Sequence, residues 1–325
     1  MTNPVTSRGA MGIGAGLLTG WMSAAVFAFA VAHADSGFLL IAYIAAIPLL
    51  MAGLGAGVIS GALGALAGSI GLAIAVSLSV AFTFTVIDAL PAALFCALAL
   101  RYKTGSDGRV YWYPEGLLLT ALALYPCVVF LIGVVLTLGH EGGLLGLTIA
   151  TVQSGIDQLS SQMDANTAVQ FKAVVPTMAK LMPALVGSCW SLLMLACAIF
   201  AQGTLQKEKW NIRGPIAWRD VSVPTWLVSV AAVAGLVGAF APQAYPQISY
   251  IGTNVCIMLC MPLFFVGLAI THVYAATCKH PKWVLVAFYM LISILPWLVI
   301  LVALLGTLDL AFGIRKRLTG TSEQV

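Results

Sequence analysis

The chain has 325 residues, 61% of them hydrophobic and 8% charged, with 15 Lys and Arg against 11 Asp and Glu. A soluble domain is about 25% charged, and the mean hydropathy here is +1.03. With apolar runs of about 20 residues, the length that crosses ~30 Å of hydrocarbon, this composition excludes a soluble globular enzyme, a nucleic-acid binder and a disordered scaffold. It predicts an all-α, polytopic transmembrane helical bundle in contact with the lipid bilayer, formed as a single membrane domain over 1–325.

The polar start, Met1 to Arg8, is followed at once by an apolar run from Ala10 to Ala32. That run is longer than the ~7–15 residues of a secretory signal core, so it reads as a retained first span. Hydropathy places the spans near 10–33, 37–52, 54–77, 80–102, 115–138, 181–204, 224–241, 248–276 and 283–308. Lys and Arg collect in the loops 101–109 and 205–222, at Lys279 and Lys282, and in the tail 313–325. Basic loops face the cytoplasm, so the N-terminus is expected inside and the segment 139–180 outside. Nine full spans would put the basic tail outside. Either one segment does not cross or the last turns back at Pro296; the first is adopted, giving eight spans, with nine as the alternative.

Within the outer segment Leu145, Ile149, Val152, Ile156, Leu159 and Met163 recur at steps of four and three. This is the spacing of one helical face, and it predicts an amphipathic helix at the outer interface or over the bundle. A similar stretch, Val169 to Met182, is expected to be interrupted by Pro176 and Pro183.

The first span carries Gly12, Gly16, Gly20, Ala24 and Ala28 at strict four-residue spacing, and the third carries Gly57, Gly61, Gly64, Gly68 and Gly71. Small residues on one face let helix backbones approach closely in lipid. The stripe on the first span serves either helix packing inside the bundle or docking of a separate membrane subunit.

Polar groups at membrane depth are the candidate site. Asp88 lies deep in the fourth span with no Lys or Arg within a turn; such a carboxylate is protonated, hydrogen-bonded or facing water. His272 lies near the cytoplasmic end of the eighth span and reads as bonded to a neighbouring backbone carbonyl. Asn254 falls on the same face, as glue between helices or as a ligand, and Asp309 reads as interfacial. Tyr102 with Tyr111, Trp112 and Tyr113 reads as an aromatic belt. The seven cysteines have no zinc-type spacing with His, and no Walker loop, H-E-x-x-H or G-x-S-x-G pattern occurs. No enzymatic activity, metal or cofactor is expected, and an energised role would need a partner ATPase or an ion gradient.

Several ordered pieces resemble the YybS-like family of predicted bacterial membrane proteins, a domain of unknown function. They are Trp112, Tyr113, Pro114 and Gly116; Asn211, Arg213 and Pro215; Val223 to Trp226; Tyr250, Gly252 and Asn254; Phe264 to Ala269 with His272; and Gly306 and Asp309 with Phe312 and Arg315. Gly214 separates Arg213 from Pro215 where the family more often has Arg-Pro. That family looks distantly similar to the substrate-binding S-components of energy-coupling-factor transporters, although those usually have six spans. The first expectation is a bacterial cytoplasmic (inner) membrane protein, a transport component resembling an S-component, that binds a small solute. Asp88, Asn254, Tyr250 and His272 would be its binding residues, and the Gly12–Ala28 face would dock a coupling transmembrane subunit and its ATPase. The alternative is a membrane scaffold or assembly factor that holds a partner through its basic loops, where Arg213 and Arg219 would matter most.

Overall fold

The computed structural model describes residues 9–34, 38–160, 165–216, 218–242 and 244–318. The polar start, Met163 and the end of the basic tail therefore lie outside the described residues, and so do the side chains of Leu159 and Arg219. The chain divides into two units: Met1–Leu122 with Trp190–Ala217, and Ala123–Cys189 with Trp218–Val325.

In the first unit α1 (Gly9–Ala32) is followed by a 3-10 helix (Phe38–Ala45) running into α2 (Ala46–Ala56), then α3 (Val58–Ala75). The α2–α3 joint is Gly57 alone, at φ 109°, a left-handed backbone that a side chain would strain. The glycine stripes of α1 and α3 face each other. A Cβ on Gly16 would collide with the Ser60 carbonyl, and one on Gly20 with the Gly64 carbonyl. Ser60 Oγ donates to the Gly12 carbonyl at 2.6 Å, and the Trp21 ring covers Gly71. The pairs climb together, so the two helices run parallel in close backbone contact, the small-residue packing available in lipid.

The fourth expected span is three pieces: α4 (Leu78–Phe84), a π-helical turn (Thr85–Ala89) and α5 (Leu90–Ala99). The basic loop beyond it folds as an antiparallel hairpin, β1 (Tyr102–Thr104) with β2 (Val110–Trp112). Asp107-Gly108, with Gly108 at φ 74°, is a turn signal for which a plain loop was expected. This hairpin is the departure from an all-helical reading.

α6 (Glu115–Leu136), α7 (Gly143–Ser160) and α8 (Ala165–Lys207) follow. α7 buries Leu145, Val152 and Ile156, the face predicted for it; the last two pack with Val175 and Ala179 of α8. Pro176 and Pro183 do not interrupt α8; both sit inside one continuous helix.

In the second unit α9 (Thr225–Phe240) and α10 (Pro246–Thr277) are antiparallel: Gly238 abuts Gly252 and Thr253, and Gly235 abuts Cys256. The expected span 283–308 is two short helices, α11 (Pro281–Ile294) and α12 (Leu298–Phe312), followed by α13 (Ile314–Leu318). At 1.5 Å per residue each of the first two is about 21–23 Å long. α11 starts beside the end of α10, and Tyr289 on it reaches back to His272. α12 packs Val302 and Gly306 against Gly267 and Leu263. Arg315 then bonds the Val221 carbonyl just ahead of α9. The expected span is thus broken at Leu295–Trp297, and neither half is long enough to count among the spanning helices.

Among the described residues six helices are long and apolar enough to cross a membrane: Gly12–Ala32, Val58–Ala75, Leu78–Ala99, Glu115–Leu136, Lys172–Lys207 and Pro246–Thr277. The expected eight or nine full spans are therefore not matched by helices of spanning length.

Candidate functional site

Two of the expected site residues, Tyr250 and Asn254, stand one turn apart on α10 in the second unit, and both are buried. The Tyr250 ring meets Phe130 edge to face, and its hydroxyl lies 3.2 Å from Thr148 Oγ1 on α7. The amphipathic helix is thus tied to α10 by a polar contact as well as by its apolar face.

Asn254 is 0% exposed. Its Oδ1 accepts from the Ala184 N–H at 2.7 Å. Its Nδ2 donates to the carbonyls of Lys180 and Tyr250, each at 2.8 Å. The amide bridges two α8 backbone groups that stand one helical turn apart, Lys180 C=O and Ala184 N–H. Pro183, which has no N–H to give the ladder, lies between them. Both Nδ2 donors are used, so Asn254 acts as a helix-to-helix splice with no donor left for a solute.

Beside this splice is a half-open cavity of about 570 Å³, walled by α8, α9 and α10. Tyr250, Thr253 and Ser249 line it from α10, Lys180 and Thr177 from α8, and Pro242 from the turn after α9. Ser249 Oγ is engaged with the Gly238 carbonyl at 2.6 Å. Lys180 is the charged side chain on this wall, and no carboxylate shares it. Its ammonium makes no ion pair among the described residues. The size falls in the range of small-molecule sites, which combine an apolar wall with a few convergent polar groups. Lys180, Thr253 and Ser249 were not singled out from sequence. The signal that pointed there was the polar run Ser249, Tyr250, Thr253 and Asn254 opening an otherwise apolar helix.

The other expected residues do not join this cavity. His272 lies 22 positions after Tyr250 on α10, about 33 Å along the helix, and its Nε2 is 2.8 Å from Tyr289 Oη. Its partner is a side chain on α11, where a backbone carbonyl was expected. Asp88 belongs to the first unit, in the π turn, with both carboxylate oxygens buried and unpartnered. Gly16 and Gly20 are closed against α3, Gly12 lies against Ala56 of α2, Ala24 is buried and Ala28 is half-buried, so most of this stripe packs inside the unit.

Sequence reasoning missed two buried ion pairs. Arg213 is 3% exposed, with Nη2 2.6 Å from Glu115 Oε1 and Nη1 donating to the Ala99 carbonyl at 3.0 Å. Its own carbonyl accepts from Gln202 and Asn211. Arg213 therefore ties the end of α5, the start of α6 and α8 together and is not a free basic surface group. Asp309, read as interfacial, is buried and accepts from Arg315 Nε at 2.6 Å and from its backbone N–H at 2.8 Å. Gly313, at φ 63°, makes the left-handed turn that brings Arg315 back. Among the described residues no group of three His, Cys, Asp or Glu could hold a metal ion.

The family model described as Predicted membrane protein (DUF2232) matches residues 22–310. The chain belongs to this family. It is a multi-pass membrane protein. No curated protein and no solved structure matches the chain.

Proposed function

We propose that the protein is a transport component of the bacterial cytoplasmic membrane that binds a small organic anion in the cavity between α8, α9 and α10. The observation that carries this reading is the wall itself: Lys180, Thr177 and Thr253 are among the residues that line about 570 Å³ of space, and no acid is among them. A carboxylate or phosphate group would pair with Lys180 through a charge-assisted bond, and the apolar wall formed by Leu181, Ala239 and Pro246 would cover its carbon skeleton. The chain performs no covalent chemistry in this reading. It presents a solute in the manner of an S-component, and a coupling subunit would dock on a surface other than the Gly16–Gly20 contact with α3.

The membrane topology proposed with it has eight crossings. Six are the long helices. The segment 38–56 is the seventh, about 32 Å long by the rises of its 3-10 and α parts, and α9 is the eighth. The α11–α12 pair enters and returns. This keeps both termini and every basic loop on the cytoplasmic side, as the charge bias requires, and puts the cavity at the outer ends of α8 and α10.

The test is equilibrium binding of a panel of mono- and dicarboxylates and phosphate esters to the full chain in lipid nanodiscs. Saturable binding that weakens about tenfold or more in Lys180→Ala, the loss of one charge-assisted bond, is expected. Lys180 is exposed, so the melting temperature without solute should not move. No binding, or affinity unchanged in both Lys180→Ala and Thr253→Val, overturns the reading.

A further inference from the structure

Asp88 is 1% exposed, and both its oxygens lack a hydrogen-bond partner. Asp309, the other buried acid among the described residues, has Arg315. The lack of a partner is specific to the Asp88 side chain, because the backbone break around it is well served. Pro91 cannot give an N–H to the Ile87 carbonyl, and Trp190 Nε1 donates to that carbonyl at 2.9 Å in its place. The Leu90 N–H reaches Thr85 C=O, five residues back. The Thr85 hydroxyl lies 2.7 Å from the Ala81 carbonyl and 2.8 Å from Ser69 Oγ.

The π turn packs against α2, α3, α4, α5 and the 3-10 helix Phe38–Ala45. These elements carry no Lys, Arg or His. Their other titratable groups are Tyr43 and Cys96, and α8 adds Cys197 beside Trp190's end of that helix. Cys96 Sγ points to the Leu50 carbonyl at 3.9 Å, and Cys197 Sγ to the Tyr43 carbonyl at 3.4 Å. Lys207 lies ten residues beyond Cys197, about 15 Å along α8. No cation on these elements neutralises the carboxylate.

An isolated carboxylate in such surroundings is strongly disfavoured in its charged form. Two occupants can remove that charge: a proton or a metal cation. A hard cation takes about six oxygen ligands. Around Asp88 the turns bury Phe84, Ala89, Pro91 and Ala92, which bring no second carboxylate. A proton needs no further ligand. We propose that Asp88 is an exchangeable proton-binding site, the group through which a proton gradient acts on this protein. Protonation converts the carboxylate and one solvent proton to a neutral acid; release returns the proton to water. The π turn supplies a route for exchange. It holds one residue more than an α turn, and resolving it would rotate Asp88 by about 100° about the helix axis. This inference goes beyond the solute reading and does not depend on it.

The experiment is infrared difference spectroscopy of the full chain in lipid, without solute, comparing wild type with Asp88→Asn across pH. The expected result is one protonated-carboxyl C=O band at neutral pH in wild type. It should shift in deuterated water, move in frequency in Asp88→Glu, vanish in Asp88→Asn, and fade reversibly in the alkaline range. Absence of the band in wild type overturns the proposal. A band that never fades while the protein stays folded shows a locked structural acid, and that also overturns it. Loss of the band on adding sodium or potassium chloride at fixed pH overturns it in favour of a metal-cation site. If Asp88→Asn fails to fold, the frequency shift in Asp88→Glu carries the same decision.

Discussion

Asn254 and Ala184 are joined by a 2.7 Å hydrogen bond from the Ala184 N–H to the Asn254 Oδ1, and the same side chain donates to the Lys180 carbonyl. A side chain of α10 thereby bonds the backbone of α8 on both sides of a proline. Lys180, whose carbonyl is held in this way, also lines the cavity. The splice sets where that lysine stands.

Asn254→Leu removes both halves of the bridge, taking away the side-chain partner of the buried Ala184 N–H and that of the Lys180 carbonyl. The expected cost is roughly 1–3 kcal/mol, read as a lower midpoint in thermal unfolding of the detergent-solubilised chain. Asn254→Gln should recover little, because the longer side chain misplaces the amide. Unchanged stability in Asn254→Leu would show that α8 closes its own ladder when the amide is absent.

The α1–α3 contact depends on missing Cβ atoms. Gly20→Ala would force a methyl into the Gly64 carbonyl, and separating the helices should cost about 1–3 kcal/mol, the usual range for overpacking. Gly14, also on α1, has nothing within 4 Å of an added Cβ. Gly14→Ala should be neutral or slightly stabilising, since Ala is the better helix former. Equal effects at the two positions would contradict the packing described.

Arg213→Ala strands the Glu115 carboxylate and the Ala99 carbonyl. Removing one partner of a buried pair costs about 3–5 kcal/mol, and the lower end applies because Glu115 keeps 27% of its side-chain surface. Yield of folded protein and the unfolding midpoint report it. Arg213→Lys should rescue only in part, since one ammonium cannot reach both acceptors in the planar fork geometry of a guanidinium.

The α7–α8 contact should respond to acid. The Lys172 ammonium, 2.9 Å from Asp157, holds the Asp157 carboxyl below the usual carboxylate range, first by its hydrogen bond, with Gln153 assisting. A carboxyl lowered in the folded state adds stability that is present above its unfolded pKa. That stability is lost as pH falls through the folded pKa. Hydrogen exchange in α7 should therefore quicken on acidification below the ordinary Asp range and with added salt. Asp157→Asn should remove the pH dependence.

Membrane class, the boundaries of α9 and α10, and the buried face of α7 were all legible in the residues, because hydropathy and helical period are local properties of the chain. The glycine stripes were legible as close-packing surfaces, but their partner was not: that the face of α1 closes on α3 is a relation between segments some 45 residues apart. The pieces that carried the family resemblance include Arg213, Asn254, Asp309 and Arg315. Their types were visible, while the bonds they make depend on approaches that periodicity does not encode.

The sequence alone determined that this chain spans a membrane, and which end of each long helix carries the basic residues, because the cost of burying charge acts on each segment separately. Only the tertiary structure decided that 281–312 is two short helices, that Tyr250 and Lys180 share a cavity, and that Asp88 has no partner while Asp309 has one. Each of those is settled by which helices pack together. In lipid that choice rests on shape and on satisfying polar groups between helices, which no single segment specifies.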